Sequence, residues 1–276
     1  IMLARAKTFP RSPESRAALV EAARGVAAFA DARRKAKAGA TRRLPREDVA
    51  LFAPHVLLEL DGLRAGIAEA PPTHRPDLSL VLSSILVKLS AKRGDTSSAN
   101  VDKRLGAGYA ARLFVKKTEE LARRFEQLAS LLPSPAPRAR VFADDATVLK
   151  NVRDASVDAV VTSPPYVATY DYLAHHELRM RWLGLAERPL ARGELGARRR
   201  YEGASAREAR RAWRAELARL LAALARVTRP GGAVVLLIAD SATLGARAGE
   251  VPEALRADEM VAEVAERDET LAFVAR

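Results

Sequence analysis

Apolar residues at intervals of three and four divide the first half of the chain into helices. In the clearest stretch, Leu19, Ala22, Val26 and Phe29 alternate with charged residues, which is typical of an amphipathic helix. The same spacing predicts helices over residues 2–9, 13–38, 46–69, 77–92 and 109–132. Prolines at 133, 135 and 137 then mark a linker.

After the linker, short apolar runs rich in β-branched residues alternate with helical patterns. The runs predict strands over residues 140–143, 157–161 and 233–238, and a further strand beginning at 271–274. The helical patterns cover residues 147–152, 170–183, 206–227 and 252–266, with an arginine-rich loop over 186–204. Strands that alternate with helices indicate a parallel, doubly wound α/β sheet. The predicted parts are residues 1–39, a basic helical insertion over 40–135, and an α/β core over 136–276.

Positive charge is concentrated before the predicted core. Residues 1–140 hold 26 Lys and Arg against 14 Asp and Glu, whereas residues 141–276 hold 20 of each. A segregated positive field favours a polyanion as partner. The candidate phosphate contacts are Arg33, Arg34, Lys35, Arg42 and Arg43. The alternative for the Arg33–Lys35 cluster is a solvated helix end, where cations complement the helix dipole.

The composition excludes several classes of chemistry. The chain has no cysteine, which excludes disulfides, thiolate metal sites and cysteine nucleophiles. No run approaches 18 apolar residues, so we expect a cytoplasmic protein without membrane spans. His175 and His176 are adjacent and point in different directions on a helix, so we expect no metal site.

The segment Thr162-Ser163-Pro164-Pro165-Tyr166 directly follows the predicted strand 157–161. Two prolines prevent the backbone from continuing into a helix, so carbonyls near Ser163 are left to accept hydrogen bonds from a guest. Tyr166 offers a flat face to a planar base. This segment resembles the catalytic motif of S-adenosylmethionine-dependent DNA amino-methyltransferases, which modify cytosine N4 or adenine N6.

The resemblance implies a Rossmann-like methyltransferase sheet and a role for each motif residue. Ser163 and the Pro164 carbonyl would hold the target amino group, and Pro165 would shape the turn. Tyr166 would stack on a base flipped out of the duplex, and Tyr170 would line the same pocket. By the same resemblance, S-adenosylmethionine would be bound by Asp145, Ala146 and Thr162. Asp145 also has the simpler interpretation of a turn or helix-cap residue.

Thr-Ser-Pro-Pro-Tyr is more typical of the cytosine-N4 enzymes of that family, with double-stranded DNA as partner. Adenine-N6 methylation of DNA, guanine-N2 methylation of RNA and a catalytically silent nucleic-acid-binding relative remain as alternatives. The resemblance also suggests a role beside a restriction enzyme or in phage defence.

The family's glycine-rich cofactor turn after a first strand has no counterpart in the sequence. Gly106-Ala107-Gly108 follows no predicted strand, and Gly231-Gly232 precedes one. We therefore expect a piece of a longer protein with an incomplete sheet, in which residues 1–39 are the remainder of the cofactor-binding half.

Overall fold

The computed structural model describes residues 1–95, 99–241, 254–267, 271, 272 and 274. The fold is α/β, with many helices and a small parallel sheet of two strands. It divides into two compact units. The first unit comprises Ile1–Val141 with Leu178–Leu185, and the second comprises Phe142–Glu177 with Ala186–Arg276.

In the described part of the chain, the helices before the sheet are α1 (Met2–Thr8), α2 (Pro13–Lys35), α3 (Arg46–Leu51), α4 (Pro54–Glu69), α5 (Arg75–Leu89) and α6 (Tyr109–Leu131). The later elements are β1 (Val157–Thr162), α7 (Tyr172–Leu183), α8 (Arg188–Gly193), a 3-10 turn (Arg198–Arg200), α9 (Ala206–Val227), β2 (Thr228–Leu236) and α10 (Ala257–Glu266). Of the predicted helix over residues 252–266, positions 252 and 253 lie outside the described residues, as does Phe273 of the predicted last strand.

Local signals explain where several helices begin. Ser12 caps α2 by accepting a hydrogen bond from the Ser15 N–H, and Pro13 occupies the first helical position. The predicted helix over residues 46–69 is interrupted at Phe52 and Ala53, which are extended. The reason is Pro54, which disfavours helical geometry in the residue before it and itself begins α4.

Two glycines allow α2 and α4 to approach closely in the first unit. A Cβ at Gly62 would lie 3.3 Å from both Cα and Cβ of Ala30, and one at Gly66 would lie 3.2 Å from Val26 Cγ1. These contacts are tighter than ordinary van der Waals separations. The small residues on α4 therefore set how near its neighbour can pack, and the core of the first unit includes residues of both helices.

The sheet of the second unit pairs β1 and β2 in parallel. The predicted parallel orientation of these two strands is thereby confirmed. β2 begins at Thr228, earlier than predicted, and the register shifts between Val157 and Ala159 around the Pro230-Gly231-Gly232 segment. Gly231 has φ of +75°, which a residue with a side chain rarely adopts.

Only one face of this sheet packs on the core of its unit. Val160, Val234 and Leu236 contact that core, whereas Val161 and Leu237 are 80% and 69% exposed. In the described part of the chain, the apolar run over residues 233–238 is therefore packed on one face and exposed on the other. An apolar run without alternation cannot distinguish a strand covered on both sides from one covered on a single side.

Two predicted elements are absent from the described part of the core. Residues 140–143 form no strand, and residues 147–152 form turns instead of a helix. The second difference has a local cause, because side chains of Asp144 and Asp145 accept backbone hydrogen bonds from Asn151 and Thr147. Across the described ranges, no helix is both long and apolar enough to cross a membrane.

Candidate active site

The Ser-Pro-Pro-Tyr segment leaves the carboxyl end of β1, as its sequence predicts. The Thr162 carbonyl accepts a hydrogen bond from the Leu237 N–H at 2.9 Å, which is the last step of the ladder. Beyond it, the Ser163 and Pro164 carbonyls accept no backbone N–H from any described residue. Ser163 is exposed, whereas Pro164 is buried. The exposed Ser163 is thus presented at the edge where parallel sheets bind ligands, and the carbonyl of the buried Pro164 beside it has no backbone donor among the described residues.

Tyr166 begins a continuous cluster of aromatic rings. The ring centroids of Tyr166 and Tyr170 are 6.2 Å apart, and those of Tyr170 and Tyr172 are 5.7 Å apart. His175 lies edge-on to both Tyr170 and Tyr172, and His176 stacks on Tyr172 at 6.3 Å. Such separations lie in the favourable range for aromatic pairs. The structure thus brings Tyr166 and Tyr170 together, and it adds the two histidines to the same cluster.

A second segment, residues 194–201, holds the chain between Tyr166 and Tyr172. The Ala168 N–H donates to the Gly196 carbonyl at 2.8 Å, and the Arg198 N–H donates to the Tyr170 carbonyl at 2.9 Å. The Tyr172 N–H donates to Glu194 Oε1 at 2.6 Å. We call residues 194–201 the clamp. Its bonds fix the backbone on both sides of Tyr170.

The charge centre of the clamp is Arg199. Its Nη1 donates to Asp171 Oδ1 and to Glu194 Oε2, both at 2.6 Å. Burial by itself lowers the pKa of Arg199, but its hydrogen bond to Glu194 and the charges of Glu194 and Asp171 raise it above the ordinary value. Arg199 therefore stays charged and joins the clamp to the start of α7.

The clamp is anchored to α9 through Glu216. This buried carboxylate accepts hydrogen bonds from the Gly196 N–H at 2.7 Å and from Arg200 Nη1 at 2.9 Å. Gly196 has φ of +60°, and a Cβ there would lie 3.1 Å from the Cα of Val167. Only glycine fits both requirements, so the clamp can approach the segment that follows Tyr166. The helix that carries Glu216 begins with a capping box between Ser205 and Glu208.

The phenol of Tyr172 lies in a partly buried, electronegative setting. Burial raises the pKa of Tyr172, and the neighbouring Tyr170, Tyr166 and Glu194 raise it further. Tyr172 therefore remains a neutral phenol at physiological pH. Neutral tyrosines suit stacking and hydrogen bonding rather than proton transfer.

Asp145 and Ala146 lie on an exposed turn before β1. Asp145 Oδ1 accepts hydrogen bonds from the N–H and the hydroxyl of Thr147, at 2.8 and 2.7 Å. Asp144 accepts from the Asn151 N–H, and this bond is the main reason that its pKa is lowered. The hydrogen bonds of Asp145 stay within its own turn. This arrangement agrees with the simpler of the two interpretations of Asp145, that of a turn or helix-cap residue. Its Oδ2 atom has no hydrogen-bond partner among the described residues.

The predicted phosphate contacts lie in the first unit, in two groups. Arg33, Arg34 and Lys35 form the exposed last turn of α2, where Arg34 and Lys35 pair with Asp31 at 2.6 and 2.9 Å. This agrees with the alternative of a helix end complemented by cations, and it leaves their charges accessible.

Arg42 and Arg43 differ from each other. Arg43 is exposed, whereas the Arg42 guanidinium lies 5.1 Å from the Trp182 ring centroid and 3.4 Å from a carboxylate oxygen of Asp61. Asp48 and Asp61 are both fully buried beside it. The position of Arg42 gives it a structural role in neutralising these two carboxylates.

The aromatic histidines and the clamp were not identified as site residues from the sequence. Arg199 lies in the run Arg198-Arg199-Arg200, for which the sequence suggests a phosphate contact or a solvated loop. The available signal was Glu194, the one acidic residue between Gly193 and Gly196 in an arginine-rich stretch. In the part of the chain that the structure describes, no group of three or more His, Asp or Glu residues is arranged to hold a metal ion.

Comparison with known proteins finds no matching family model, no matching curated protein and no matching solved structure. The function must therefore be argued from the geometry of this site and from the motif that follows β1.

Proposed function

We propose that the protein methylates an exocyclic amino group of a DNA base, with cytosine N4 as the first choice and S-adenosylmethionine as the methyl donor. The observation that carries the proposal is the position of Ser163-Pro164-Pro165-Tyr166 at the carboxyl end of a parallel strand. Its open acceptors and its aromatic neighbours suit an amino-bearing planar base.

In this proposal the base stacks on Tyr166 while its amino group donates hydrogen bonds to the Ser163 hydroxyl and the Pro164 carbonyl. Such bonds draw the nitrogen out of conjugation with the ring and direct its lone pair away from the acceptors. Tyr170 would extend the stacking surface. The clamp would keep Tyr166 and Tyr170 at their mutual distance before the base arrives, which lowers the ordering cost of binding.

The fit of the described residues to the cofactor is limited. Asp145 retains one carboxylate oxygen that could accept from an adenine amino group, and Thr162 ends the strand beside the motif. The Gly106–Gly108 turn instead precedes α6, where Glu59 accepts the N–H groups of Gly108 and Ala110. No described glycine turn follows a strand in the way a methionine-binding loop requires. We therefore assign to this chain the handling of the target base, and derive no step through the cofactor.

The basic side chains of the first unit support a polyanionic substrate. Arg33, Lys35 and Arg43 are charged and accessible, and phosphate contacts by such residues give affinity that is independent of sequence. We propose duplex DNA as that substrate.

The test is transfer of a labelled methyl group from S-adenosylmethionine to duplex DNA, with RNA as a parallel substrate. We expect Ser163→Ala and Tyr166→Ala to lower transfer by about 100-fold or more, as lost transition-state contacts do. Tyr166→Phe should retain most activity because it keeps the ring. Ser156→Ala, at the opposite end of β1, is the matched control and should be unaffected.

The labelled product identifies the target. N4-methylcytosine after digestion would support the full proposal, and N6-methyladenine would support the class and correct the base. Label found only in RNA, or no transfer by a folded protein, would reject DNA methylation.

A further inference from the structure

The first unit contains a cavity of about 560 Å³ that is separate from the Ser-Pro-Pro-Tyr segment. Its walls come from α5, from the loop before α6, from the first residue of α6 and from Arg179. This volume is in the range of pockets that hold small molecules, roughly 300–1,000 Å³.

The cavity is strongly cationic. Lys88, Arg93, Lys103 and Arg179 line it, and Asp95 is the one acidic residue among the described lining residues. Like charges that converge on one concavity repel each other, and an anion bound among them relieves that repulsion. The charge of the lining therefore indicates an anionic ligand.

Two of these cations are fixed by the protein itself. The Lys103 ammonium donates to the carbonyls of Val87, Lys88 and Lys92 at 3.1, 3.3 and 2.6 Å, so all three of its donors are used. Arg179 Nη2 donates to both carboxylate oxygens of Asp95 at 2.8 Å. Lys103 thus supplies a positive field rather than free donors, whereas the charge of Arg179 is largely neutralised by Asp95.

The other two cations are available to a ligand. Lys88 and Arg93 are exposed, and no side-chain partner is found for either one within the described ranges. They are the groups that can donate hydrogen bonds to phosphate oxygens.

A rigid aromatic wall stands beside these cations. Tyr109 lines the cavity together with the apolar side chains of Val87 and Leu105. The backbone of Tyr109 is held on both sides, because buried Glu59 accepts hydrogen bonds from the N–H groups of Gly108 and Ala110. A fixed ring next to free cations matches a ligand that has a planar part and a phosphate.

We propose that this cavity binds a nucleoside phosphate, with the phosphate at Lys88 and Arg93 and the base against Tyr109. The same chemistry is offered by a free nucleotide and by the phosphorylated end of a nucleic acid strand. The site does not depend on the proposed methyl transfer.

The first test is calorimetric titration with guanosine 5′-monophosphate, which carries no adenine and so avoids a cofactor site. We expect saturable binding, with guanosine and inorganic phosphate each at least tenfold weaker. The double variant Lys88→Gln/Arg93→Gln should lose at least tenfold in affinity. Its matched control is Arg123→Gln/Arg124→Gln, which removes the same charge from α6 at a distance of about 21 Å along the helix from Tyr109. This control should change affinity less than twofold.

The second test separates the ring from the charge. Tyr109→Phe should bind as the wild type does, whereas Tyr109→Leu should weaken the nucleotide about tenfold and leave inorganic phosphate unchanged. Ser163→Ala should retain nucleotide binding even if methyl transfer is lost, so failure of one proposal can be told from failure of the other.

Oligonucleotides with a 5′-phosphate or a 5′-hydroxyl identify the source of the ligand. Preference for the phosphorylated strand over the nucleotide supports a nucleic acid end, and the reverse supports a free nucleotide. The proposal is overturned if none of these ligands titrates, if the cavity and control variants lose affinity equally, or if phosphate alone binds as well as the nucleotide.

Discussion

Removal of Arg199 tests whether the clamp holds the aromatic cluster in place. The Glu194 side chain is only 2% exposed and the Asp171 side chain 16%, and both accept hydrogen bonds from Arg199 Nη1. In Arg199→Ala these carboxylates lose their cationic partner but stay largely withdrawn from water. Because truncation leaves a buried charge unpaired, its cost exceeds the net value of the original pair.

The magnitude follows from the two contacts. Each charge-assisted hydrogen bond contributes about 1.5–3 kcal/mol, and loss of one partner of a buried pair costs about 3–5 kcal/mol. Arg199 is itself 28% exposed, so water that enters the vacated space offsets part of this loss. We expect Arg199→Ala to lower the free energy of unfolding of the second unit by about 2–4 kcal/mol.

Each unit has its own tryptophan, which makes the assay specific. Trp182 lies in the core of the first unit and Trp213 in the core of the second. In a Trp182→Phe background, Trp213 fluorescence during urea unfolding reports on the second unit alone. With a slope of about 2 kcal/mol per molar urea, the midpoint should fall by about 1–2 M.

Two further variants define the controls for this prediction. Arg198→Ala removes the same charge from an exposed neighbour and should change the free energy of unfolding by less than about 0.5 kcal/mol. Glu194→Gln combined with Arg199→Ala should recover part of the loss, since the amide still accepts from the Tyr172 N–H without burying a charge. The reasoning is refuted if Arg199→Ala unfolds within 0.5 kcal/mol of wild type, or if adding Glu194→Gln recovers nothing.

Three other predictions concern packing and pH. Gly62→Ala should destabilise the first unit by about 0.5–2 kcal/mol because the added Cβ meets the backbone of α2. Gly25→Ala, whose Cβ would have nothing within 4 Å, should instead stabilise it by about 0.5–1 kcal/mol. Urea unfolding followed by Trp182 fluorescence measures both, and changes of the same sign in the free energy of unfolding would refute the argument. Burial, and then the charge of Glu216, raise the pKa of Tyr201 despite the opposing effect of Arg200. Above about pH 10 the Tyr201 hydroxyl therefore loses its proton in the unfolded chain before it does so in the folded one, and the stability of the second unit should fall as pH rises. Tyr201→Phe should reduce that fall and cost little at pH 7, since the Tyr201 hydroxyl has no hydrogen-bond partner among the described residues. An unchanged pH profile of unfolding would count against this prediction. Val161→Thr should change the free energy of unfolding of the second unit by less than about 0.5 kcal/mol, whereas Val160→Thr should lower it by about 1 kcal/mol. Equal losses of this free energy in urea unfolding would show that both faces of the sheet are covered.

Helix existence follows from the sequence wherever apolar periodicity is long. The α2, α6 and α9 helices lie close to their predicted ranges because each has an apolar stripe over more than 20 residues. Shorter elements depend on contacts that a pattern does not contain. A strand requires a partner, and residues 140–143 have none among the described strands, although their composition suits β structure.

The candidate site divides in the same way between local and distant causes. Ser163 to Tyr166 are adjacent in the chain, and the two prolines restrict their backbone geometry. The motif and its place after β1 can therefore be predicted from the sequence. The clamp joins Asp171 to residues 23 and 28 positions later, Glu194 and Arg199, and it requires Gly196 to pass within 3.1 Å of another backbone. No periodicity or motif encodes that pairing. The clamp residues, which belong to no sequence motif, then determine how Tyr166 and Tyr170 are positioned to receive the base. We therefore expect Arg199→Ala to lower methyl transfer by more than its loss of stability alone explains.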